Sequence, residues 1–326
     1  MLNFDDYSIS DRAYGGLACR KLGLQKDGEY YLLKFPNKVK GMRNINISYA
    51  NDVYSEYIAS KVISHYLPTH EVQLGVRDGK VCALCKDFCG NTGRLYQYSE
   101  LKTTMSREVL RPNGDISDGN DPDIEAVEIT LHENSLFRQV HDVETRFWTM
   151  FIVDAVNGNP DRNNGNWGVL VDNGHVTFAP IYDNGNSLNS KYSDDQLAEC
   201  LADSSRFKAL AYSGFRCFFT EDEKKINPFH YLESGVNARA VEVLRDMDLD
   251  FDVSSIINSL EISDVRKEFY EKMYKIRYTE LRRIRDMLEE VLSPEEKARW
   301  DALPPSLRDN YTGSKRELLR HLDWRS

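Results

Sequence analysis

Apolar and polar positions along the chain follow two rhythms, one of about two residues and one of about 3.6. The shorter rhythm governs the amino-terminal part. Residues 30–35 predict a strand ended by Pro36, and 72–76 with 80–85 predict a hairpin around Asp78-Gly79. Between them, residues 51–67 carry Ile58, Val62, Ile63, Tyr66 and Leu67 on one helical face, with Pro68 as the stop. Past Gly90 the longer rhythm takes over. Residues 143–156 predict a helix with Phe147, Phe151, Ile152 and Ala155 inward. Gly158-Asn159-Pro160 ends it, because the residue before a proline avoids helical angles. Val265, Phe269, Met273, Ile276, Leu281, Ile284, Leu288 and Val291 mark a long amphipathic helix, a stripe read as core packing. Ser293-Pro294-Glu295-Glu296 predicts the start of another.

One stretch breaks the helical rhythm. Residues 161–168 must form a loop, and Val169-Leu170-Val171 then runs into Asp172-Asn173-Gly174, where Asn-Gly is a strong hairpin signal. Val176-Thr177-Phe178 returns. A tight turn brings the end of the second strand back beside the start of the first, so Asp183 is expected near Asn166. Turn-forming propensity alone explains a crowd of Asn, Asp and Gly. It does not explain the order helix, loop, hairpin, carboxylate. That order is what metal-assisted phosphoryl transfer uses: one Asp to receive the acceptor proton, an Asn five positions on for a metal ion, and a second Asp beyond two strands for metal bridging the phosphates. Asp161, Asn166 and Asp183 fit those places.

Composition narrows the classes. With 326 residues, 41% hydrophobic and 29% charged, the chain is long enough for two lobes and ordinary for a globular protein. Lys plus Arg number 42 against 52 Asp plus Glu, a net charge of −10. That argues against nonspecific binding to nucleic acid or to acidic membranes, and leaves ATP open. The amino terminus lacks the charged and apolar regions of a secretory signal and no apolar run reaches a membrane span, so cytoplasmic residence is expected, with signal-less export left open. Cys82, Cys85 and Cys89 invite a metal reading, but a strand places Cys82 and Cys85 on opposite faces, and reduced thiols are expected. Residues 113–125 are acidic with Gly and Pro, out of register for a calcium loop, and read as a solvated loop.

Phosphates need cations and close backbone approach. Lys34 shares a strand face with Tyr30 and Leu32, and is either an edge charge or an inward phosphate ligand. Glu56 on the following helix is either solvated or the holder of that ammonium. Gly15-Gly16 is either an ordinary turn or a phosphate-covering one.

The order of Gly15-Gly16, Leu33-Lys34-Phe35-Pro36, Ser55-Glu56-Tyr57, Cys85-Lys86-Asp87-Phe88, Gly158-Asn159-Pro160-Asp161-Arg162, Asn166-Trp167-Gly168 and Pro180-Ile181-Tyr182-Asp183 resembles the HipA-like serine/threonine kinases, nearest their short CtkA-type members. The likeness spans residues 7–190. It implies an α+β, two-lobed protein-kinase-like fold, with a β-rich N-lobe over 1–88 and a larger helical C-lobe over 89–326. It further implies ATP in the cleft, Lys34 on the α- or β-phosphate, and backbone groups of Lys86 and Phe88 holding adenine. Asp161 would be the catalytic base, and Asn166 and Asp183 the Mg2+ ligands. Ser8 and Ser10 are the autophosphorylation candidates. Two departures stand out: Asn163 occupies a position where many members have His, and the amino-terminal extension of full-length HipA is missing. The second makes pairing with a small helix-turn-helix antitoxin on this chain less expected.

The leading expectation is therefore an ATP- and Mg2+-dependent serine/threonine protein kinase, autophosphorylating, a candidate toxin or effector with a protein substrate. A small-molecule or lipid kinase on the same scaffold is the second reading, and a nucleotide-binding module that transfers nothing is the third. The serines of 187–215, Ser190, Ser193, Ser204 and Ser205, are read as solvated residues of a polar loop bordering the acceptor groove.

Overall fold

The computed structural model describes residues 1–14, 20–36, 51–104, 123–213, 218, 225–290, 294–308, 315, 318–319 and 322. A six-stranded sheet forms from β1 (Leu2–Asn3), β2 (Ser8–Ile9), β3 (Lys21–Lys26), β4 (Glu29–Lys34), β5 (Val72–Arg77) and β6 (Lys80–Lys86), in the order β1-β5-β6-β4-β3-β2. All neighbours are antiparallel except β1 on β5. The β5–β6 hairpin turns at Asp78-Gly79, with φ of 51° and 70°, as its sequence predicts. The β3–β4 hairpin turns at Asp27-Gly28 in the same way, φ 51° and 82°. Sequence reading found only its second strand, since Lys21-Leu22-Gly23-Leu24-Gln25-Lys26 carries charges at both ends and a glycine inside.

Helix α1 (Asp52–Ile63) packs on this sheet through Val53 and on the helical part through Ile58, Val62 and Ile63. It is shorter than the expected 51–67. The chain tightens before Pro68, with His65 N–H on the Val62 carbonyl and Tyr66 N–H on the Ile63 carbonyl, three residues back rather than four.

A second sheet, three-stranded, contains β7 (Arg94–Gln97), β8 (Gly168–Asp172) and β9 (His175–Phe178). The β8–β9 turn at Asn173-Gly174 has φ of 48° and 82°. β7 escaped sequence reading because four residues with Arg and Gln at the ends show no clear alternation. Helix α2 (Tyr98–Thr103) follows it directly, and α3 (Ile124–Glu133) comes next among the described residues. α3 corrects part of the solvated-loop expectation for 113–125: Asp123 accepts from the Glu125 and Ala126 N–H groups and caps a helix. Residues 113–122 lie outside the described residues.

The core of the larger part is α4 (Val143–Asn157), buried without a break from Phe147 to Asn157. Against it pack α7 (Pro228–Ser234), α8 (Ala238–Asp246) and α10 (Asp264–Glu290), and α10 in turn carries α5 (Asp194–Ala202), α6 (Ser204–Ser213) and α9 (Ser254–Asn258). Short helices α11 (Pro294–Ala302) and α12 (Pro305–Arg308) follow. α10 buries Phe269, Met273, Leu281, Ile284 and Leu288 as expected, and adds Tyr270, Tyr274 and Tyr278 to the stripe. Residues 194–213 are two helices, not a polar loop. Ser193 caps α5 in a reciprocal box with Gln196, a signature present in the sequence, and Ser190 is buried. No helix among the described residues is long and apolar enough to cross a membrane.

Candidate active site

The two parts meet around a cavity of about 640 Å³, lined by Lys34, Lys86, Phe88, Asp161, Asn166 and Asp183 among others. A volume of that size suits a nucleotide-sized ligand. Lys34, at the end of β4, is buried, and its Nζ reaches Glu56 Oε2 at 2.7 Å and Asp183 Oδ1 at 2.8 Å. Burial by itself draws the ammonium down, but Glu56 and Asp183 more than reverse that and hold it well above its ordinary value. Burial pushes Glu56 up, while Lys34 and His70 pull it far below the usual carboxylate range. Lys34 likewise lowers Asp183. Both carboxylates are depressed in the fold, so their stabilisation is present above the unfolded value near 4 and is lost as pH falls. Lys34→Met should therefore lower stability at neutral pH and flatten the loss between about pH 5 and 2. Urea midpoints measured across that range test this; an acid limb as steep as wild type would count against it.

Glu56 is held from two more directions. Its Oε1 accepts the Asn184 N–H at 3.0 Å and lies 2.9 Å from His70 Nε2. Gly185 allows the approach, because a Cβ there would stand 3.0 Å from Glu56 Oε2 and 3.2 Å from the Asp52 carbonyl. If the pair supports catalysis, Gly185→Ala should push Glu56 off Lys34 and lower turnover roughly tenfold with the fold intact, as steady-state rates beside circular dichroism would show.

The loop after α4 is built on one buried cation. Arg162 grips Asp154 with both ends of its fork, Nε to Oδ2 at 2.8 Å and Nη2 to Oδ1 at 2.9 Å. Its Nη1 donates to the Asn166 carbonyl at 2.8 Å and the Tyr182 carbonyl at 2.7 Å, and its Nη2 to Asn184 Oδ1 at 2.7 Å. A single side chain thus fixes both arms of the hairpin where Asn166 and Asp183 stand. Tyr98 stacks on Trp167 at 4.4 Å, and the Ser99 N–H donates to the Asn164 carbonyl, so α2 pins the loop from below.

Asp161 sits between two amides: Asn163 Nδ2 donates to its Oδ1 at 2.9 Å, and Asn186 Nδ2 to its Oδ2 at 2.7 Å. Asn163 Oδ1 also accepts the Gly165 N–H at 2.8 Å. Asn166 Nδ2 donates to the Asp161 carbonyl at 2.7 Å, which leaves its Oδ1 as the atom available to a cation.

At the opposite wall, Asp87 gathers the strand-to-loop junction. Its carboxylate accepts from Arg12 at 2.6 Å, from Tyr14 at 2.9 Å and from the Cys89 N–H at 2.8 Å. This draws Arg12 to Tyr14 over the cavity, with Arg12 stacked on Tyr30. The Lys86 N–H is taken by the Glu71 carbonyl at 2.8 Å. Gly15 and Gly16 lie outside the described residues. Ser8 is exposed in β2, and Ser10 follows it, its N–H on the Gly23 carbonyl.

The structure thus brings Lys34, Glu56, Lys86, Phe88, Asp161, Asn166 and Asp183 to one cavity or its inner wall. Sequence reading missed Arg162, Asp154, His70, Asn184 and Asn186. Arg162-x-x-x-Asn166 and Asp183-Asn184-Gly185-Asn186 were in view, but the contacts that join the two segments, and those of Asn184 with Glu56 and Ser60, span 20 residues or more.

No protein-family model matches the chain. It is 28% identical over 270 residues to the serine/threonine-protein kinase CtkA of Helicobacter pylori, covering 80% of each sequence. The crystal structure of the proinflammatory kinase CtkA of Helicobacter pylori superposes with a TM-score of 0.78 at 26% identity, over 90% of this chain and 99% of that one. HipA of Shewanella oneidensis, solved with HipB and operator DNA, matches more loosely, with a TM-score of 0.41 at 15% identity over 84% of this chain and 67% of that one. In sequence and in fold alike the chain is thus similar to the serine/threonine kinase CtkA, consistent with the HipA-like kinase family that its motifs resemble.

Proposed function

We propose that the chain transfers the γ-phosphoryl group of ATP to serine or threonine hydroxyls of proteins, with Mg2+, and that its own amino-terminal serines are among the acceptors. The observation that carries this reading is the convergence of Lys34, Asp161, Asn166 and Asp183 on one cavity. Asn166 Oδ1 and the Asp183 carboxylate form an all-oxygen donor set that suits magnesium, since the Asn166 amide nitrogen is already spent on the Asp161 carbonyl. Bound there, the metal would offset charge on the phosphates.

The acceptor oxygen attacks the γ-phosphorus in line, the new O–P bond forms, and the bridging bond to the β-phosphate breaks with its electron pair leaving on ADP. Asp161 takes the hydroxyl proton, its carboxylate aimed by Asn163 and Asn186. Lys34, held by Glu56, meets the α- or β-phosphate. The Lys86 carbonyl and the Phe88 N–H hold adenine. The resemblance assigns the phosphate-covering role to Gly15 and Gly16. The division into lobes at 1–88 and 89–326 belongs to the same proposal, as do Ser8 and Ser10 as autophosphorylation sites and a toxin or effector role with a small helix-turn-helix partner.

Incubation with ATP and Mg2+ followed by phosphopeptide mass spectrometry is the direct test. The expected result is phosphate on Ser8 or Ser10 and on proteins of a bacterial lysate; no gain on either would end the reading. Asn163 supplies a finer one. Asn163→Ala frees both Asp161 Oδ1 and the Gly165 N–H and should cost about tenfold in kcat. Asn163→His keeps a donor and should stay within about threefold, while adding a dependence on pH around 6.5 that the amide lacks.

A further inference from the structure

Behind Lys34, on the inner wall of the cavity, Glu56 of α1, His70 and Cys85 of β6 form a cluster that phosphoryl transfer does not use as a unit. They are 1%, 5% and 2% exposed. One donor atom from each lies within 4.8 Å of the other two. His70 and Cys85 both line the cavity, so the cluster is reached through it. Cys82 points to the other face of β6, into a separate core around Phe4 and Leu33.

We propose that Glu56, His70 and Cys85 form a binding site for a borderline-soft divalent cation of the zinc type, and that filling it slows the kinase. Carboxylate, imidazole and thiolate are the donors zinc takes in three-ligand sites, with a fourth position left open, here toward the cavity. Bonds of about 2.0 Å to N and O and about 2.3 Å to S put tetrahedral donors roughly 3.3–3.5 Å apart. The His70–Glu56 edge, now 2.9 Å, would open slightly, and the sulfur would close by at most about 1.3 Å. Magnesium prefers oxygen and is not drawn to the thiol. On binding, the Cys85 thiol loses its proton to solvent, His70 binds through Nε2 with its proton on Nδ1, and two negative donors balance the ion.

The ion takes Oε1 of Glu56, the atom that now accepts the Asn184 N–H, while Oε2 faces Lys34. It therefore loosens Asn184 from Glu56 and sets a second cation beside the Lys34 ammonium. The binding site stands on its own; only the slowing rests on the phosphotransfer reading.

The test uses the full, reduced chain with Co2+ and then Zn2+. Cobalt should give a sulfur-to-metal charge-transfer band that one equivalent of zinc removes. Cys85→Ser should abolish the band and weaken zinc about a hundredfold or more, beyond the loss typical of changing a residue that only hydrogen-bonds a ligand. His70→Gln should weaken zinc similarly, and Cys82→Ser should leave band and affinity unchanged. No band in the wild type, or a band that survives Cys85→Ser, overturns the site. In excess Mg2+, saturating zinc should lower wild-type turnover about tenfold and leave Cys85→Ser at its own zinc-free rate. A filled site with undiminished turnover overturns the slowing. A chain that transfers no phosphate at all fails the kinase reading while the cobalt band still decides the site.

Discussion

Asp161→Asn should cut phosphoryl transfer about a thousandfold while leaving ATP affinity within a few-fold of wild type. The asparagine keeps an oxygen for Asn163 or Asn186 but loses the basic carboxylate, and proton acceptance by a positioned group is typically worth about 10² to 10⁴. The carboxylate touches none of the Lys34, Glu56 or Asp183 contacts, so the phosphate side of the cavity should be undisturbed. Single-turnover phosphate transfer beside calorimetric nucleotide binding separates the two effects. A variant as fast as wild type would remove Asp161 from the mechanism, and a variant that no longer binds nucleotide would recast it as a binding residue.

The largest effect on folding should come from Arg162→Ala. The side chain is fully buried and its guanidinium serves Asp154, two carbonyls and Asn184. Truncation leaves the Asp154 carboxylate buried without that cation, a loss of about 3–5 kcal/mol for pairs of this kind. It also releases Asn166 and Asp183 from their common anchor. Chemical denaturation should show a midpoint shift of that size, and whatever folded protein remains should lose transfer. Combining it with Asp154→Leu should recover part of the stability, because the stranded charge goes too, but not the activity. Full recovery of both would mean that Arg162 merely fills space.

What local chemistry dictates was legible from residues alone. The β5–β6 and β8–β9 turns, the stop of α4 at Gly158, the stripe of α10 as far as Leu288 and the facing of Cys82 away from Cys85 all follow from neighbours within a few positions, while Val291 and the expected cap Ser293 lie outside the described residues. The placement of Asp161, Asn166 and Asp183 at one cavity followed from the hairpin between them. Less visible were features that only folding creates. An arginine in a run of Asn, Asp and Gly reads as solvent-facing, yet Arg162 is among the most buried side chains. Asn186 and Asn163 meet across Asp161 only because the chain doubles back, and His70 reaches Glu56 from beyond the end of α1. β7 and β3 were too short or too charged to show a rhythm.

The bidentate hold of Asp154 on Arg162 has a consequence for control. In kinases switched by modification, an ordering anion arrives as a phosphate added to a neighbouring loop and leaves with a phosphatase. Here the counter-ion Asp154 is encoded in the last turn of the preceding helix, and every donor direction that would greet an incoming phosphate is already committed. The loop that carries Asn166 and the turn that carries Asp183 are therefore held together by a pair written into the chain itself.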